Sequence, residues 1–368
     1  MWPVSVTTPP LAGRRIALVL SAAICLFPPS GLGADDCDMD QGTPGPTEPF
    51  TRRLPPACTP AQREARAVRA DEVLAALRAG RGVDLEGIVL TGEVKLDALP
   101  TVPVGSVTIT SERVRALIAT RTLTELRLIT GPVTIRNSVI RGPILVNLRE
   151  GLVVFTGPVT MTGTTFERAL DLSLCAFLAP VDFSDAVFTQ QGFFIQSLFD
   201  QPARFEKTAF GPHSRFHRAR FADTVTFLRA GFNGRAEFLE VTFDQDTSFS
   251  RTYFKMGTGF SGSRFGGTLD FSEARFEREA YFLFTVFEKD AYFRRATFRA
   301  DANFSDAVFR GLDDFTKTHF AVEPNFTRTK VSGASPKPGG LQDPVVLYGI
   351  AAALGVFTLL FILFLRRS

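Results

Sequence analysis

Phenylalanine stands at every eleventh position from Phe166 to Phe320, fifteen times without a gap. A second series with the same step runs from Leu172 through Phe183, Phe194 and Phe205 to Phe326. The two series interleave in steps of six and five. Two residues before each member of the first series stands a small or β-branched residue, such as Thr164, Cys175, Ala186, Ser197 or Thr208. The positions between are mostly charged or hydroxyl-bearing. A small residue and a Phe two apart share one face of an extended segment, with the residue between them facing water. A fixed period of this kind predicts stacked identical units.

Eleven residues also make three turns of helix. Residues five apart, however, lie about 140° apart around a helix, so the two Phe series would not form one stripe. Gly and Thr are also too frequent for long helices. The pattern predicts a β-solenoid instead. One eleven-residue unit is too short to enclose Phe side chains, so the coil is two units, about 22 residues, a repeat within the range that solenoids use. Residues 166–326 then make about seven coils, a rod on the order of 35 Å long at about 4.8 Å per coil. The axis is filled by Phe166, Phe177, Phe183, Phe188, Phe194, Phe199, Phe205, Phe210, Phe216, Phe221, Phe227, Phe232, Phe238 and Phe243 and their successors. These are the structural ladder residues.

Residues 83–160 keep a weaker form of the pattern, with Val89, Val94, Val133, Ile135, Ile144 and Met161 in apolar slots. They are expected to form three or four irregular coils with aliphatic filling. Residues 35–82 form a Cys-containing N-terminal segment and a capping helix over 60–79. Thr59 is its N-cap, Pro60 opens it, Gln62 completes a capping box and Gly80 ends it. Such a lid is needed because an open coil end exposes strand edges. The small-residue rule fails at Asp313 and Pro324, where the last coil is expected to loosen.

The stretches Asp182–Phe188, Asp270–Phe276 and Asn303–Phe309 read DFSDAVF, DFSEARF and NFSDAVF. They resemble the pentapeptide-repeat family, in which Leu or Phe holds the central position and a small residue lies two before it. The resemblance implies a quadrilateral, right-handed β-helix. This chain departs from the simple form by one extra residue in every second unit. The expected fold is therefore all-β: a β-solenoid with two eleven-residue units per coil, a short N-terminal capping helix and one C-terminal transmembrane helix.

That last element comes from the ends of the chain. Arg14 and Arg15 precede an apolar run, Ile16 to Phe27, followed by small residues to Ala34. Residues 1–34 are expected to be a signal peptide. Val345 to Leu365 holds 21 residues without a charge, then Arg366, Arg367 and Ser368. A span over 344–365 with a cytoplasmic tail over 366–368 is expected, joined to the solenoid by a flexible linker, 327–343. The expected location is the bacterial cytoplasmic membrane, single-pass, with the repeats extracytoplasmic.

The net charge of +3 falls to about −1 without the four terminal arginines, which argues against nucleic acid as a partner. Some members of the family mimic DNA, but that use wants a concentrated acidic face. Cys37 and Cys58 are the candidate disulfide; Cys175 sits in an inward slot. His213 and His217 are four apart, a spacing that would align them on a helix but not on this coil. Asp182, Asp270 and the pair Asp313–Asp314 read as solvated surface, and Tyr253, Tyr281 and Tyr292 as a contact patch or corner packing. No nucleotide loop or nucleophile elbow occurs. No catalytic, cofactor or metal residue is assigned. The expected function is a non-catalytic, membrane-anchored scaffold for a protein or cell-envelope partner, with self-association through a coil end. The alternatives are a module or enzyme acting on envelope polysaccharide, and an accessory subunit acting through Gly349, Ala351 and Gly355 of the span.

Overall fold

The computed structural model describes residues 37–43 and 45–332. The described chain winds through four sheets, three of eleven strands and one of nine, parallel throughout except for Thr101–Pro103. Each coil visits the faces in order. The first face carries Thr165–Phe166, the second Leu170–Asp171, the third Cys175–Phe177 and the fourth Val181–Asp182. The register advances one full coil at each rung: Phe166 lies on Phe188 and Phe177 on Phe199.

The local reason for the coil lies in two turns. At one corner the Asp before a core Phe folds back on the chain. Asp182 Oδ1 accepts from the Ser184 N–H at 2.8 Å, and Asp270 repeats this with Ser272. The Ala186 N–H then donates to the Phe183 carbonyl at 3.0 Å, with Asp185 between them at φ 57°. A positive φ at the third turn residue is a type II turn. Left-handed residues recur with the eleven-residue step, through Lys207, Arg229, Arg251 and Arg328, and of this column only Gly163 and Gly262 are glycine. Hydrogen bonds to the neighbouring coils hold these residues in a conformation that side chains disfavour. The six-residue steps form the other, wider corners.

Inside, rings of successive coils stack face to face. Their centroids lie from 4.4 Å apart (Phe276–Phe298) to 5.5 Å apart (Phe183–Phe205). Rings from different ladders meet edge to face, as Phe216 and Phe227 do at 5.7 Å and 89°. The small slot beside each ring has a second use where it holds Ser or Thr. The Thr252 hydroxyl donates to the Phe227 carbonyl at 2.8 Å, and Thr208 and Thr285 reach Phe183 and Phe260 at 2.8 and 2.9 Å. Each partner lies on the preceding coil, so these buried hydroxyls are satisfied.

The N-terminal cap differs from the single helix expected. α1 (Pro60–Ala65) and α2 (Ala70–Arg78) are separated by a short strand, Val68–Arg69, which pairs with Leu90–Thr91. Burial of Val68 in the first face interrupts the helix. Thr59 and Gln62 do form a capping box on α1. α2 lays Val73, Leu74 and Leu77 over the end of the core. Gly80, at φ 70°, closes it, with Arg81 N–H on the Ala76 carbonyl. A further strand, Phe50–Arg53, starts the fourth face.

Residues 96–124 are not a coil. They leave the solenoid between the second and third faces and return at Glu125–Ile129, pairing antiparallel through Thr101–Pro103. α3 (Glu112–Thr120) belongs to this excursion and lies outside the third face. Val114 and Ile118 cover the outward side chains of Val154, Ala176, Leu198 and Ala222, making a second, smaller apolar cluster.

No helix among the described residues is long and apolar enough to cross a membrane. α2 and α3 have nine residues each, about 14 Å of helix against about 30 Å of hydrocarbon. The expected span, 344–365, its tail, 366–368, and the leader, 1–34, lie outside the described residues. The membrane-anchored form, the transmembrane element of the fold, the single-pass location and the membrane as a partner are therefore corrected. The architecture is an all-β solenoid, two eleven-residue units to the coil, with a helical cap and one lateral helix.

Candidate functional site

The fourteen ladder residues from Phe166 to Phe243 are buried to 2 % exposure or less, so they build the axis and present nothing to a ligand. Cys37 and Cys58 are joined by a disulfide, 5.0 Å between Cα atoms, which ties the start of the described chain to the base of α1. Cys175 is free and buried, and burial pushes its thiol well above the usual range. The other polar candidates do not converge. His217 Nε2 lies 3.0 Å from Glu237, which also takes Arg215 at 3.1 Å. Asp313 points inward and Asp314 outward, where it meets Arg294 at 2.5 Å. Among the described residues no group of three or more His, Cys, Asp or Glu is placed to hold a metal ion. Tyr253, Tyr281 and Tyr292 stand on the first, second and fourth faces, so they form no common patch.

Most of the outer surface is a ladder of opposite charges one coil apart. Arg218 meets Glu240 at 2.8 Å, Arg251 meets Glu273 at 3.0 Å and Arg328 meets Asp306 at 2.6 Å. Hydrogen bonds from these arginines hold all three carboxyls below their usual range. Such a surface has no strong net field.

The second face breaks this pattern. One coil, reading MGTGFSG over 256–262, puts only Gly257, Gly259, Ser261 and Gly262 where neighbouring coils carry larger side chains. Register places Glu237 on one side of Gly259 and Tyr281 on the other. The result is a furrow across the face, a cavity of about 760 Å³ lined also by Arg235, Leu239, Met256, Arg278 and Glu279. Leu239 leans over its floor: a Cβ on Gly259 would come within 3.0 Å of the Leu239 side chain.

The next coil forms a ridge. Tyr281 is 41 % exposed and Phe284 61 %, while Met256 at the furrow's mouth is 47 % exposed. Phe284 holds a left-handed turn position, φ 55°, which in most other units carries a charged residue. It combines backbone strain with an uncovered aromatic ring, and neither contributes to the core.

The floor offers no backbone for strand addition. Thr258, Phe260 and Gly262 donate to Glu279, Tyr281 and Leu283, and the Gly259 and Ser261 carbonyls accept from Phe238 and Glu240. Recognition there falls to side chains. The sequence contained this site's signal, an all-small coil followed by an aromatic in a turn column, but the regular Phe ladder drew attention inward.

Residues 271–319 match the family described as pentapeptide repeats in nine copies. The match covers the coils that carry the ridge. No curated protein and no solved structure matches the chain. The match is to the repeat that builds the solenoid.

Proposed function

We propose that the protein is a β-solenoid scaffold that holds a partner protein against its second face, at the furrow over Gly259 and the ridge of Tyr281 and Phe284. The observation that carries this reading is Phe284, exposed and in left-handed backbone beside a coil whose outward positions at 257, 259, 261 and 262 are only Gly and Ser. Large exposed aromatics next to a concavity are what protein interfaces use as anchors. The tips of Phe284 and Met256 have no hydrogen-bonding group, so they suit an apolar side chain better than a polyhydroxylated ligand.

The test is a photo-cross-linking amino acid placed at position 284 in the full chain inside cells. A control copy carries it at 270, outward on the fourth face. The expected outcome is a discrete protein adduct from 284 and none from 270. Equal labelling from both positions, or none from 284, sinks the reading.

A further inference from the structure

The first face, with the turn that leads into it and the corner that leaves it, also departs from the paired surface. Over five coils, from Arg229 to Ala321, its outward positions hold seven Arg or Lys and only two Glu. The turn column reads Arg229, Arg251, Glu273, Arg295, Lys317. On the face, Tyr253 lies between Gly231 and Arg275. At the corner, Lys255 and Arg299 stand one coil either side of Glu277.

Both carboxylates are already taken. Arg251 holds Glu273 at 3.0 Å and Arg299 holds Glu277 at 3.1 Å. That leaves Arg229, Lys255, Arg275, Arg295 and Lys317, all exposed and in no ion pair with a described residue. Each of the five successive coils contributes one of them, so they follow each other along about 19 Å of the axis at about 4.8 Å per coil. Like charges on neighbouring strands repel, and nothing in the fold offsets that cost.

We propose that this row of cations docks an acidic segment of a partner protein, whose carboxylates supply the charges that the fold omits. The site lies apart from the furrow and ridge and does not rest on the reading of that face. Charge complementarity calls for a partner with several anions in succession. The side chains choose among such partners. Three of the five cations are Arg, whose planar fork takes a carboxylate through two hydrogen bonds. Arg and Tyr together are what protein interfaces enrich. Single-stranded nucleic acid is held by a series of stacking rings, and these columns carry one exposed ring, Tyr253. A lipid surface is entered by large apolar side chains, and no Leu, Ile, Val or Met stands in the three columns. The backbone is paired from coil to coil, with Tyr253, Arg275 and Thr297 donating to Ala230, Thr252 and Ala274, so the partner is held by side chains.

The test titrates the full chain into a short fluorescent poly-glutamate peptide and follows anisotropy. Arg229→Gln, Arg275→Gln and Arg295→Gln together are expected to weaken binding about ten-fold, and raised salt to weaken it for the parent chain. The control set, Arg204→Gln, Lys289→Gln and Lys330→Gln, removes the same charge from exposed positions away from the first face. It is expected to bind as the parent does. Because the row repels itself, the first set should melt no lower than the parent, which separates lost binding from lost folding.

Absence of salt-sensitive binding, or equal weakening by both sets, overturns the proposal. So does tighter binding, lost in the first set, of a mixed-sequence oligodeoxynucleotide or of phosphatidylglycerol vesicles at equal anion concentration. Those results would assign the face to nucleic acid or to a lipid surface.

Discussion

Each core position in this protein has one task, and its cost can be assigned separately. Phe238 is fully buried, stacked between Phe216 at 4.7 Å and Phe260 at 4.9 Å. Phe238→Ala is expected to cost about 3–5 kcal/mol in chemical denaturation. Phe326, which is only partly buried at the end of its ladder, should cost clearly less. Equal losses would contradict the account of the ladder. The alternation of small residue and Phe was legible from sequence because only that pair fills a narrow axis. The hydroxyl bond from Thr252 to the Phe227 carbonyl of the preceding coil was not, since Ala serves the same slot in other units. Thr252→Ala is expected to lose about 1 kcal/mol, the net worth of one satisfied hydrogen bond. Cys175 makes a kinetic test of packing. With its thiol buried and raised in pKa, it should resist alkylation until the chain unfolds.

At the scale of elements, the legible parts were those the period dictates, and the others were set by tertiary contacts. The capping box at Thr59 and the stop at Gly80 follow from local chemistry. The break between α1 and α2 follows from Val68 joining a sheet, which no local signal announces. α3 was missed because nine residues of modest amphipathicity gain stability only from the surface they cover. The available clue was on the third face, where Leu178 and Leu198 stand in outward positions that later coils fill with Asp244, Arg264 and Glu288. Arg113 reaching Asp200 at 3.3 Å adds a polar clasp. Ile118→Asp is therefore expected to release the excursion, opening 104–124 to limited proteolysis while the far coils stay protected. The turns were illegible for a different reason. Their left-handed positions hold mostly charged residues, with Gly only at 163 and 262 to mark them, because the stacked coils enforce the conformation. The cap depends on a covalent tie as well. Reduction of Cys37–Cys58, which closes a loop of 21 residues' separation, should destabilise the cap by about 3 kcal/mol. Hydrogen exchange in α1 and α2 is expected to rise first.

The whole molecule is a stack in which each coil touches its neighbours, so stability is nearly a sum of coil and interface terms. Its axis is apolar and its charges lie outside in pairs along the stack. Acid should therefore act on the pairs without reaching the axis. The carboxyls of Glu240, Glu273 and Asp306 are held low in the folded state by Arg218, Arg251 and Arg328. A depressed folded pKa stabilises the fold above the unfolded value, about 4 for these groups, and that contribution is lost as pH falls through the folded value. The melting temperature is expected to stay level from neutrality to about pH 5 and to decline only below about 4. The decline should be shallow, because solvent screens exposed pairs. Glu240→Gln removes one rung, so its deficit against the parent chain should exist at neutral pH and vanish in acid. High salt should shrink the same deficit at neutral pH. A deficit that grows in acid, or a transition centred near neutrality, would place the controlling charge elsewhere than in these ladders.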